Sequence, residues 1–394
     1  MKRTIALFVL VFVVATFAGW DKYFGDKGSD GAYSVIQTAD GGFVVAGFRS
    51  AGDESKCDGW VFKLDGSGEV VWSKIYGGEN RDKIWEITET DDGGFAAAGY
   101  TYSFGDGGTD AWLLRFDSDG DTIWTRTYGG SFGESAYSLA QTKDGGYVVA
   151  GTYDQLYDYH PPDCNSGDVY IVKTYETGEK VWEHTYGVGI CGMDICRSII
   201  SMPDGGAAIA GWTETYEGWD DVYIVRIDSK GDTLWTRTYG GVGDDRGYCI
   251  APTKDGGFII TGKSESCATC KEDLYLIKID ADGDSMWTRT FGTGFNDWGM
   301  SVAQTSDGGY IVVGTTDWRY DEDKGYYISD IYLLKTNSKG KLLWEELFGG
   351  ERENRGCWVE ETSDGGFIVA GIVNTEDAGN QVYVVRTDKN GRMR

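Results

Sequence analysis

The tripeptide Asp-Gly-Gly recurs at Asp40, Asp92, Asp144, Asp204, Asp255, Asp307 and Asp364, at spacings of 52, 52, 60, 51, 52 and 57 residues. A tryptophan keeps the same register, at Trp20, Trp72, Trp124, Trp182, Trp235, Trp287 and Trp344. A period of this length means that one supersecondary unit is built repeatedly and buries its apolar faces against its own copies. The units run 20–71, 72–123, 124–181, 182–234, 235–286, 287–343 and 344–394.

Within the third unit, residues 124–128, 135–142, 147–151 and 169–175 read as four short strands, by alternation or by continuous apolar runs. Asp-Gly-Gly supplies the positive φ of a tight hairpin, because Gly lacks the Cβ that would clash. A second turn, of the form D-x-x-G followed by Asp, Glu or Lys, joins the fourth strand to the next Trp strand, as at 117–121 and 280–284. Four antiparallel strands repeated in this way predict an all-β chain folded as a seven-bladed β-propeller of four-stranded antiparallel blades. A solenoid of stacked hairpins would need atypical capping repeats at each end. Here the last unit ends in the turn at Asp388, Lys389, Asn390 and Gly391 without its Trp strand, and Trp20–Phe24 supplies one. The N-terminal strand is therefore expected to complete the last blade and leave no open edge.

Composition narrows the class. The 60 Gly come with only 4 Pro, which excludes collagen, and 41% hydrophobic with 14% aromatic residues excludes a disordered chain. A net charge of −27 argues against a nucleic-acid partner, which needs clustered Lys and Arg. Lys2 and Arg3 precede an apolar run over residues 5–17, and Thr16 and Ala18 fit a signal-peptidase site. Residues 1–18 are thus expected to be a cleaved export signal and 19–394 a single domain, secreted to the periplasm or the medium as a monomer. The run is short of the ~20 residues of a membrane span.

The segments VYIVRIDSKGDTLW (222–235) and LYLIKIDADGDSMW (274–287) resemble the blade motif of quinoprotein-type propellers. The resemblance implies that the strand before Asp-Gly-Gly is innermost, the Trp strand outermost, and the Trp a docking contact between neighbouring blades. WD-repeat and kelch propellers share the architecture, although the GH…WD pattern is missing. The quinone cofactor does not carry over, since those enzymes have eight blades and a vicinal Cys pair, and no cofactor is expected.

In this strand order the long loops share one face, the expected binding face. Ten residues before each Asp-Gly-Gly stand Asp30, Asp82, Glu134, Asp194, Asp245, Asp297 and Asn354. A ring of carboxylates there would suit Ca²⁺; recurrence in every unit favours capping of each unit's own loop instead. The D-x-D-G-D runs at Asp117, Asp119 and Asp121 and at Asp280, Asp282 and Asp284 look like calcium loops but lie where turns need Asp and Gly. Departures from the repeat are more informative. The loop 152–167 carries Tyr153, Tyr157, Tyr159 and His160; the loop 315–329 carries Trp318, Arg319, Tyr320, Tyr326 and Tyr327; and the fourth unit has Trp212, Tyr216 and Trp219. Aromatics beside acids suit a sugar ring or an exposed peptide.

Eight Cys in an exported chain predict disulfides. Neighbour arguments pair Cys164 with Cys191, Cys196 with Cys249, Cys57 with Cys357, and Cys267 with Cys270. Enzyme signatures are thin: His160 and His184 are the only histidines, and no GxSxG or HExxH occurs. The expectation is a secreted, non-catalytic binding or scaffold module for a glycan, peptide or cell-surface protein. The alternative is a secreted hydrolase or lyase using carboxylates at the channel mouth.

Overall fold

A computed structural model of the chain describes residues 19–50, 52, 56–154, 166–187, 192–215, 218–266 and 271–393. Every regular element among them is a β-strand. Residues 31–76, 82–128, 245–291 and 296–348 each form a four-stranded antiparallel sheet. Residues 133–186 and 192–239 form two such sets, joined by a short parallel bridge of Ser166 and Gly167 with Gly192 and Met193. The last three strands, in 354–387, pair with Trp20–Phe24, which runs antiparallel to the final strand from Trp20 opposite Arg386 to Phe24 opposite Val382. Each sheet therefore begins at the strand before Asp-Gly-Gly and takes its outer Trp strand from the following sequence unit.

The turns explain the repeat residue by residue. The first Gly of Asp-Gly-Gly has φ between 81° and 86° in all seven copies. The second has no room for a side chain: a Cβ on Gly42 would lie 2.5 Å from the Leu64 carbonyl oxygen. The Asp carboxylate accepts the N–H two residues on, as Asp40 does from Gly42 at 3.0 Å, and pairs with a Lys or Arg of the third strand that is buried in every copy but the first, where Lys63 is half-buried. Those seven ion pairs span 2.5–3.0 Å, from Lys63 with Asp40 to Arg386 with Asp364. Hydrogen bonds from Lys63 and then Thr38 hold the Asp40 carboxyl down at about 2. The D-x-x-G turns serve the outer strands. The Trp72 indole N–H donates to the Ser118 carbonyl of the next sheet at 3.2 Å, and its ring covers Gly120. In the same turn Asp117 accepts the N–H groups of Asp119 and Asp121, and Asp280 those of Asp282 and Asp284.

Apolar side chains fill the space between adjacent sheets. Val44, Ala46 and Val61 of the first sheet pack with Ile84, Ile87 and Trp112 of the second. Val35, Phe43 and Phe62 pack on the other side with Ile368, Ala370 and Val382 of the last sheet. Backbone polar groups are tied across the same interfaces. Ser34, Ser138, Ser198 and Ser301 accept the N–H groups of Ile87, Ile199, Ile250 and Val359, each on the next inner strand.

The cysteines correct the expected pairings. Cys57, Cys196, Cys249 and Cys357 are free thiols. Cys196 is buried among Val148, Ile171 and Ile209, whereas Cys249 is buried among Leu276, Val302 and Val312, two interfaces away. Their strands carry them on opposite sides of their sheets, so no bond can form. Cys57 Sγ turns toward the Asp82 carbonyl and Cys357 Sγ toward that of Arg355, each at 3.9 Å. Cys164, Cys191, Cys267 and Cys270 lie outside the described residues, as do residues 1–18.

Candidate functional site

Each innermost strand breaks register with its neighbour seven residues before the Asp of Asp-Gly-Gly, and the strand Asn296–Gln304 does so a second time near its start, between Asn296 and Trp298. The extra residues are Tyr33, Trp85, Tyr137, Arg197, Tyr248, Met300 and Cys357. A bulge leaves one residue unpaired and re-aims its side chain. All seven side chains line one cavity of about 490 Å³. Across each bulge stands a glycine of the second strand: Gly47, Gly99, Gly151, Gly211, Gly262, Gly314 or Gly371. A Cβ on any of them would fall well inside contact distance of an inner-strand carbonyl oxygen. The bulge and the glycine are thus one device.

The bulge residues pack against each other. Tyr33 stacks on Trp85 with ring centroids 3.9 Å apart, and Trp85 meets Tyr137 edge-on at 5.4 Å. The Arg197 guanidinium lies 5.2 Å from the Trp85 centroid and 4.7 Å from that of Tyr137. Toward the loops the wall continues with Arg246, Lys263, Glu272, Trp298 and Arg355. In a chain of net charge −27 the cavity thus gathers four cations.

The residues expected from the sequence distribute unevenly around this cavity. Trp212 is in its wall, meeting Tyr248 edge-on at 5.8 Å. Trp318 stands beside it, 5.6 Å from Trp298, stacked on Tyr327 at 4.6 Å and donating to Glu353. Arg319 lies over Phe295 at 4.4 Å, and Tyr320 is 53% exposed on the same hairpin. Tyr153 packs between Phe132 and Tyr170, and Trp219, 40% exposed, closes a turn with Thr215. Tyr157, Tyr159, His160 and Tyr216 lie outside the described residues.

The recurring acids are turned into their own loops. Asp82 accepts from Gly78 N–H, Tyr102 N–H and the Thr101 and Ser103 hydroxyls. Asp297 does the same with Thr293, Thr316 and Asp317. Asp30 accepts from Asp26 and Ser50, Glu134 from Gly130, and Asp245 from Gly241 and Ser266. Asp194 is buried, and Asn354 donates to the Ser329, Gly350 and Arg352 carbonyls.

Two carboxyls that the sequence did not single out tie neighbouring innermost strands together. Glu86 accepts the Leu139 N–H and Glu360 the Gln37 N–H, each at 3.1 Å, tying second sheet to third and last to first. Burial raises both to about 7, and each Glu86 ionisation is further opposed by Glu360. Because the folded pKa exceeds the unfolded one, the folded state holds the extra protons between about 4.3 and 7, and stability falls as pH rises through that window. Glu86→Gln and Glu360→Gln keep an acceptor and remove the charge. Each is expected to add about 1–3 kcal/mol at pH 8 and almost nothing at pH 4. Urea unfolding at the two pH values checks this; equal effects at both would refute it.

No family model matches the chain. A curated relative, the regulatory protein FlaEY of Caulobacter vibrioides, is 23% identical over 224 residues. That match covers 54% of this chain and 18% of the relative, so the chain spans under a fifth of that protein. Among solved structures, the Pan2 WD40 domain of Neurospora crassa superposes with a TM-score of 0.56 at 10% identity, covering 92% of this chain and 91% of that one. Sqt1 of Chaetomium thermophilum gives 0.50 at 12% identity, covering 93% and 100%. The architecture is that of a WD40-like β-propeller, built from a repeat with its own turn chemistry.

Proposed function

We propose that this chain is a closed seven-bladed propeller acting as a non-catalytic binding module, exported by its first 18 residues, which takes a glycan, peptide or cell-surface protein on the cavity face. The observation that carries this reading is convergence: seven bulges aim one side chain from every repeat into one cavity, and the aromatic hairpin of Trp318 and Tyr327 stands at its rim. A site assembled from all the repeats, beside the loops that depart from them, is where a rigid scaffold presents recognition chemistry.

The hydrolase or lyase alternative has one observation in its favour, the elevated Glu86 and Glu360 carboxyls. Both are committed to backbone N–H groups, which fits inter-blade ties better than proton transfer. A glycan and peptide array probed with residues 19–394, with and without Ca²⁺, tests the proposal. Retention without turnover is expected, reduced about tenfold or more by the Trp212→Ala, Trp318→Ala pair, as for hot-spot aromatics. Turnover, or retention indifferent to both substitutions, would overturn it.

A further inference from the structure

Arg197 differs from the other cations of the cavity. Arg246 pairs with Asp220 at 2.6 Å and Asp244 at 3.7 Å; Lys263 pairs with Glu272 and Glu265; Arg355 pairs with Glu353. Arg197 has no carboxylate within ion-pair distance among the described residues, and its contacts there are the faces of Trp85 and Tyr137. Ring faces attract the charge but accept few of the five guanidinium N–H donors. The Trp85 indole N–H also lacks an acceptor among the described residues. The cavity is therefore short of acceptors, and Arg197 is the one cation of its wall with no carboxylate partner among the described residues.

We propose that the cavity binds an aromatic monocarboxylate, a ring linked to a single carboxylate through a short aliphatic spacer, the Arg197 fork taking the carboxylate and the Tyr33, Trp85 and Tyr248 side chains taking the ring. This rests on the reading of the cavity face as the binding face and names the chemistry it selects. A guanidinium matches the two oxygens of a carboxylate geometrically. A monoanion is selected over a dianion because the remaining cations are already neutralised by Asp220, Asp244, Glu272, Glu265 and Glu353. A volume of about 490 Å³ is within the range of small-ligand pockets and holds a bicyclic ring with its substituents. The ligand can be a free aromatic acid or the C-terminal aromatic residue of a peptide, which present the same groups.

Titration calorimetry with N-acetyl-L-tryptophan, its carboxamide, and a short peptide ending in tryptophan as free acid or amide separates these cases. The free acid is expected to bind with a dissociation constant on the order of 100 µM, given typical efficiencies per heavy atom. The amide should bind about tenfold or more weakly, since it loses the charge-assisted pair. Arg197→Met should abolish that preference, Arg197→Lys should retain part of it, and a thermal melt confirms that both fold. Binding of the acid-terminated peptide as well as the small acid supports a chain terminus as ligand; binding of the small acid alone supports a metabolite. Equal affinity for acid and amide, an Arg197→Met variant that still discriminates, tighter binding of phenyl phosphate, or no heat from any acid would overturn the proposal. Array retention that persists in that event leaves the binding-module reading standing on its own.

Discussion

Gly211→Ala is expected to cost about 3–5 kcal/mol, a large effect for the addition of one methyl group, because overpacking against backbone cannot be relieved by rotating a side chain. Gly211 pairs with Cys196, next to the bulge at Arg197, and a Cβ there would collide with the Ile195 carbonyl oxygen. Relief requires the inner strand to move away or the bulge to be lost. Either movement also shifts Arg197 off the Trp85 and Tyr137 faces. Urea unfolding should show a midpoint far below wild type, and a variant that retains stability should lose the acid preference. A midpoint shift corresponding to less than about 0.5 kcal/mol, typical of neutral surface changes, would mean that the bulge does not depend on the glycine.

Removal of Trp20–Phe24 is the second large effect. The strand pairs with 382–386, Trp20 packs edge-on against Phe43 at 5.9 Å, and Phe24 packs against Phe62 at 4.9 Å. Two half-buried aromatics and a five-residue ladder place the expected loss at roughly 4–6 kcal/mol. The deletion also bares the outer edge of the last sheet, Gln381–Thr387 in part, to intermolecular pairing. A chain starting at residue 25 should therefore melt far earlier than one starting at 19 and elute as dimers or larger species in size-exclusion chromatography. A stable monomer would show that the strand is dispensable and would argue against the proposed ring closure.

Local chemistry explains why so much of the fold was legible beforehand. Asp-Gly-Gly fixes a hairpin through the positive φ of Gly41 and its counterparts, and the D-x-x-G turn does so through Gly120 and its counterparts. In the third repeat, alternation and apolar runs place the four strands within about three residues of where they lie. The Trp docking implied by the resemblance is present as the indole of Trp72 over Gly120. The site was less legible. Attention to irregular loops found Trp212 and Trp318 but not Tyr33, Trp85, Arg197 or Tyr248, which belong to the regular part. A signal existed: the residue seven before each Asp of Asp-Gly-Gly reads Tyr, Trp, Tyr, Arg, Tyr, Met and Cys, and the residue seven after that Asp is a glycine in every repeat. Alternation assigns such a residue to a sheet face, and only the extra residue of the bulge turns it to the cavity. The cysteines were misplaced for a related reason. Cys196 and Cys249 are close in blade order, but their positions on either side of a bulge send them into different interfaces.

The amino-acid sequence by itself determined the repeat, its strands and its turns, because each depends on φ preferences and apolar periodicity over a few neighbouring residues. Tertiary structure alone decided which side chains face the cavity, which acids are spent on capping, and that Arg197 has no carboxylate partner among the described residues. Those outcomes depend on register across strands, where a shift of one residue exchanges the two faces, and on distances between repeats some 50 residues apart in the chain.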